Sequence, residues 1–246
     1  TYSKAKGVPL LRHFALIFLF LSSLFGKGFF EPYTTTLQSI TGNTATITDS
    51  NALVIGSSGI IVHKFDEEKS TIIARASVIE KSGDTAKVRF EVFDLLEQSA
   101  FPLPGILPQV GDTIMLNYLY DRALIVAPNQ AVFEEITKHF DEVTWIHPDI
   151  VAAYLATEYK PNPGREEFRQ MCRENSAGVI FFALNYNGYL ADCQSFKVLK
   201  KFESGSISQY QVPFYTRVRG IESAFWKMDS EQISDYNRHY EKLLVP

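Results

Sequence analysis

Hydrophobic positions recur with a period of two from residue 33 to residue 127, and with a period near 3.6 from residue 129 onward. The cleanest alternation is at 85–93, where Ala86, Val88, Phe90 and Val92 share one face and Lys87, Arg89 and Glu91 the other. Such a strand has one buried face and one wet face. It pairs with 72–80 across Ser82-Gly83-Asp84. Upstream, 33–41 and 44–48 flank Gly42-Asn43, a two-residue hairpin turn of the II′ kind. Short apolar runs at 53–55 and 60–62 flank Gly56-Ser57-Ser58-Gly59, whose glycines permit a sharp turn or bulge. Pro102, Pro104 and Pro108 mark a covering loop, since proline cannot donate to a ladder. Two further strands follow at 113–120, with Ile114, Leu116 and Tyr118 on one face, and at 122–127. Short strands with turns between them predict a small barrel or sandwich.

Past residue 128 the elements become mixed. Asn129 can cap a helix with the stripe Val132, Phe133, Ile136 and Phe140. A short strand at 143–146 leads to Pro148, suited to the first turn of a second helix, with Asp149 at its positive end. That helix should bury Ile150, Val151, Tyr154 and Leu155. The centre of this half is a helix–hairpin unit. Phe168, Met171 and Cys172 form one stripe of a helix over 165–175. Residues 179–184, Val-Ile-Phe-Phe-Ala-Leu, read as a strand covered on both faces. Asn187-Gly188 then predicts a hairpin turn. Residues 207–218 read as an extended edge strand carrying Pro213. A last helix begins at Asp229 with Gln232 in capping-box spacing, and its stripe is Ile233, Tyr236, Tyr240, Leu243 and Leu244. The expected fold class is α+β: an all-β small barrel or sandwich over 29–128, then an α+β domain over 129–246.

Composition supports a packed, exported protein. Hydrophobic residues make up 46% and charged residues 21%, so the chain can bury a core. Residues 1–28 have the form of a signal peptide: Lys4, Lys6 and Arg12 precede a 12-residue apolar run at 14–25, and Gly26-Lys27-Gly28 offers a cut before Phe29. Those residues carry four basic and no acidic side chains, leaving 20 basic against 28 acidic in the rest, a formal net of −8. An acidic chain without a basic cluster is a poor partner for nucleic acid. No cysteine directly follows the apolar run, so no lipid anchor is expected. Cys172 and Cys193 are the only cysteines, and in an exported chain an even count favours a disulfide tying the helix to the returning strand. Two buried free thiols are the alternative.

Catalytic and metal chemistry find little support, and neither an enzyme nor a cofactor is expected. His147-Pro148-Asp149 could supply an acid and a base, but a strand-to-helix turn is the preferred reading. The Gly56–Gly59 stretch lacks the spacing of a nucleophile elbow or a P-loop. His63 and Asp66 lie close in sequence, yet the five histidines (His13, His63, His139, His147, His239) are scattered, so no metal site is expected. The edge residues Tyr210, Phe214 and Tyr215 could serve an interface or pack beneath the last helix.

Taken in order, the stretches GSSGIIVHKFD (56–66), IIARASVIE (72–80), PQVGDTIML (108–116), YDRALIVAPN (120–129), WIHPDIVAAYL (145–155), EFRQMCREN (167–175) and YLADCQSFKVL (189–199) resemble the N-terminal domain family of plasminogen-binding proteins, PgbA, from Gram-negative bacteria. The resemblance covers about residues 33–200. It implies a periplasmic or surface protein that captures host plasminogen by lysine side chains docking in kringle modules. The chain departs from the best form of such a ligand, a terminal lysine, because it ends Leu244-Val245-Pro246. The internal candidates are Lys200, Lys201 and Lys242, although each reads more readily as a solvated surface charge. A second reading from a different class is a structural component of a periplasmic or flagellar-motor assembly, which rests on fold-level analogy alone.

Overall fold

The computed structural model describes residues 29–92, 105–223 and 231–246. The leader-like segment, Pro102, Pro104 and Asp229 lie outside them.

Seven antiparallel strands form the first sheet: β1 (Tyr33–Thr36), β2 (Ser39–Thr41), β3 (Thr44–Thr48), β4 (Ser58–Lys64), β5 (Ser70–Ser82), β6 (Thr85–Val92) and β7 (Thr113–Leu116). Their order is β1-β7-β4-β5-β6-β3-β2. The two outermost strands are successive pieces of one segment, interrupted at Leu37-Gln38, so the sheet curls into a half-barrel. Leu37 N bonds Asp112 O at 3.0 Å on one side, and Gln38 N bonds Thr46 O at 2.9 Å on the other. The alternation of β6 points Ala86, Val88 and Phe90 into a core shared with Ile47, Ile61, Ile114 and Leu116, while Lys87, Arg89 and Glu91 stay exposed. Gly42 takes φ 59 at the first central position of its turn, as a II′ turn requires. Gly83, at φ 61, opens the β5–β6 turn.

The second sheet contains β8 (Arg122–Val126), β9 (Thr144–Ile146), β10 (Val179–Leu184), β11 (Asn187–Asp192) and β12 (Val198–Glu203), in the order β12-β11-β10-β8-β9. Strand β8 runs parallel to both β9 and β10. Helix α1 (Gln130–His139) connects β8 to β9, and α2 (Pro148–Thr157) and α3 (Arg165–Glu174) connect β9 to β10. A short α4 (Tyr236–Glu241) follows. One face of the sheet, with Phe181 and Leu190, packs on Val132, Ile136 and Phe140 of α1. The opposite face, with Ile180 and Phe182, packs on Leu155, Phe168, Met171 and Tyr240. Asn129 caps α1 through its side chain, accepting from Val132 N at 3.0 Å. Cys172 and Cys193 form the disulfide, with Cα atoms 6.2 Å apart.

Several local expectations change. Strand β8 closes no β-rich half; it sits in the second sheet, and the change of sheet falls between Leu116 and Arg122. Its Ala123–Val126 run is buried on both faces, as an interior parallel strand must be. Residues 53–55 form no strand; Leu53 plugs the half-barrel while Gly56, at φ 99, lies against the Lys197 side chain. The β10–β11 turn is Asn185-Tyr186, with Tyr186 at φ 65, and Asn187 already pairs with Leu184. Gly188 has another duty: a β-carbon there would lie 2.6 Å from the Phe181 ring. Residues 207–218 join no ladder, making only single bonds such as Gln211 N to Pro128 O and Tyr215 N to Ala127 O, both 2.7 Å. The α4 cap is Asp235, accepting from Arg238 N, so the helix starts six residues later than a cap at Asp229 indicates. Ile150 is exposed, because the buried stripe of α2 turns through Val151, Ala152 and Leu155.

Candidate binding surfaces

Strand β12 is an edge of the second sheet and carries two of the three candidate lysines. Successive side chains on a strand point to opposite faces. Lys200 therefore lies on the α1 side, its Nζ 5.1 Å from the Phe202 ring centre, and Lys201 on the other side, 5.7 Å from the Tyr189 ring. Both are exposed. Adjacent in sequence, they form no single patch. Lys242 stands apart from them as the exposed C-cap of α4, with its carbonyl near the Arg165 guanidinium at 3.5 Å.

The histidine–carboxylate candidates take structural positions. His63 Nδ1 lies 2.7 Å from Asp112 Oδ1, and Asp112 Oδ2 accepts from Gln109 N. Asp66 is not its partner; that carboxylate instead accepts from Glu68 N and Lys69 N within the β4–β5 loop. His147 is the N-cap of α2, its Nδ1 accepting from Asp149 N at 3.1 Å. Asp149 accepts from Thr216 Oγ1, Arg217 N and Arg217 Nε at 2.6–2.8 Å, which pins the 207–218 segment to α2. Partial burial pushes its pKa up, but these three hydrogen bonds together outweigh that and lower it from 3.8 to about 2. A depressed carboxylate stabilises the fold fully above its unfolded pKa, and that contribution disappears as pH falls from about 4 to 2. The Arg217 side chain is mostly exposed, so the expected contribution is only about 1–2 kcal/mol. Urea unfolding of Asp149→Asn beside the parent should show that gap at pH 7 and none at pH 2. A gap independent of pH would refute the assignment.

Asp192, at the end of β11, is wholly buried where the two sheets meet. Its Oδ2 accepts from the hydroxyls of Ser58 and Tyr120, and its Oδ1 from Gln194 N, Ser195 N and Ser195 Oγ. The Tyr120 hydroxyl in turn accepts from Ser58 N at 2.8 Å. Burial, followed by the nearby Asp192 charge, pushes the Tyr120 pKa well above its usual value. Ser58 is thus a bridge between the halves. Sequence patterning does not announce this junction; its one visible signal is an aspartate directly after the apolar Tyr189-Leu190-Ala191 of β11.

Beside the junction runs an open cleft of about 850 Å³. One wall is the outer face of β5 and β6, with Arg75, Arg89 and Glu91; the other is α3, with Glu166, Arg169 and Arg173. Ser195 and Lys197, from the loop after Cys193, also line it. The three α3 residues, at i, i+3 and i+7, form the stripe opposite Phe168 and Cys172. Arg169 Nε donates to Gln194 O at 2.6 Å, and its guanidinium lies 5.6 Å from the Phe196 ring centre. The disulfide joins α3 to the loop, so it sets the spacing of two sides of the cleft.

A family model described as "Plasminogen-binding protein pgbA N-terminal" matches residues 32–244. The chain is 25% identical over 196 residues to plasminogen-binding protein PgbA of Helicobacter pylori strain J99, an overlap of 78% of this chain and 43% of that protein. It is 24% identical, over 78% of this chain and 42% of the other, to the protein of that name from strain 26695. The chain thus spans less than half the length of these curated relatives.

Proposed function

Because this chain belongs to the plasminogen-binding protein PgbA N-terminal family, we propose that it is an exported, envelope- or surface-associated binding domain whose partner is plasminogen and whose action is non-catalytic. The observation that carries this reading is the family match across residues 32–244, which spans both sheets. The formed disulfide agrees with an oxidising compartment. Among the described residues no helix is long and apolar enough to cross a membrane.

Lysine-dependent capture has a physical basis in β12. A lysine on a hydrogen-bonded strand, its ammonium held over an aromatic ring, loses less rotamer freedom on docking than one on a loose tail. The purified chain should bind immobilised plasminogen saturably, and a soluble lysine analogue should abolish the binding. Since Lys200 and Lys201 face opposite ways, only one of the single alanine variants should weaken binding by about tenfold, the loss of one charged contact of roughly 1.4 kcal/mol. Lys242→Ala is the third arm. Binding unaffected by the analogue would refute the lysine mechanism. Absence of binding would assign capture to the part of the longer relatives this chain does not span, leaving a structural role in an envelope assembly for the domain.

A further inference from the structure

We infer that the cleft between the outer face of β5–β6 and α3 is a binding site for a small polyanion, with phosphate or sulfate groups carried on a hydroxylated, sugar-like core. Five cationic side chains line it in a chain whose formal net charge is −4. Among the described residues three carboxylates oppose them, and one, Asp192, is wholly buried and already accepts from Ser58, Tyr120, Gln194 and Ser195. Positive charge gathered in a concave wall raises the local potential and favours an anionic ligand.

The cations are arginine-rich and come from two sides. Arginine presents a planar fork that takes two oxygens of one phosphate or sulfate at once. Among the described residues, the guanidinium groups of Arg89 and Arg173 have neither a hydrogen bond nor an ion pair, so their donors are available to a ligand. Arg169 is held by one nitrogen and by its ring contact, which orders it in advance of binding. A cleft of about 850 Å³ suits a ligand of one or two sugar rings. Ser77, Gln194 and Ser195 offer partners for hydroxyls. Among the described residues no aromatic ring lines the cleft, which disfavours a nucleobase that would need a ring to stack on.

Calorimetry of the purified chain with two probes, sucrose octasulfate and inositol hexakisphosphate, tests the site. At least one should bind at a single site, more weakly as salt rises. Preference for the first assigns a sulfated source, preference for the second a phosphorylated one. Arg89→Ala with Arg173→Ala, both exposed and without partners in the fold, should keep the circular dichroism of the parent and weaken binding by at least about tenfold. Lys200→Ala with Lys201→Ala should leave polyanion binding unchanged, which separates this site from the plasminogen reading. No binding of either probe, or binding undiminished in the arginine double variant, overturns the assignment.

Discussion

Replacing Asp192 with alanine should lower the unfolding free energy by about 3–5 kcal/mol, the range for leaving buried, hydrogen-bonded polar groups without a charged partner. The carboxylate is fully enclosed, and its removal strands the hydroxyls of Ser58 and Tyr120 and the amides of Gln194 and Ser195 at once. Because Ser58 opens β4 and Asp192 ends β11, the loss falls on the contact between the two sheets. Asp192→Asn should cost less, since one carbonyl oxygen survives to accept from part of the set. Urea unfolding measures both, with m expected to stay near the parent value if the variants still fold as one cooperative unit. A loss under about 1 kcal/mol for the alanine variant would mean that the junction is dispensable.

Replacing Cys172 and Cys193 together with alanine should cost about 3 kcal/mol, as expected for releasing a loop of this length. Reducing the parent should reproduce that loss, and reductant should have no effect on the double variant. The same change frees α3 from the Gln194–Lys197 loop, so polyanion binding in the cleft should weaken with it. Full stability under reducing conditions would show that the packing of Phe168, Met171 and Phe196 alone holds the helix to the hairpin.

Much of this architecture was legible locally. The alternation of β6, the all-apolar run of β10, the stripe of α3, the Asn129 cap and the Cys172–Cys193 pairing all follow from residue type and short-range spacing. Turn chemistry was a weaker guide. Asn187-Gly188 carries a strong hairpin signal, yet its glycine makes room for the Phe181 ring and the turn falls two residues earlier. Likewise, the apolar run of β8 announces a strand but not its sheet; parallel pairing with β10, which lies beyond two helices in the chain, decides that.

By itself, then, the sequence determined where most strands and helices form and which two cysteines could join, because period, capping and turn propensity act over a few residues. Only the tertiary structure decided what meets across the chain. Ser58 and Asp192 are 134 positions apart. Arg89 lies on the wet face of β6 and Arg173 on the exposed face of α3, and nothing in either local pattern links them. Their convergence depends on β6 and α3 being brought to opposite walls of one cleft by the junction at Asp192 and the disulfide beside it. No local pattern encodes that approach, because its free energy comes from contacts that exist only once both sheets are assembled.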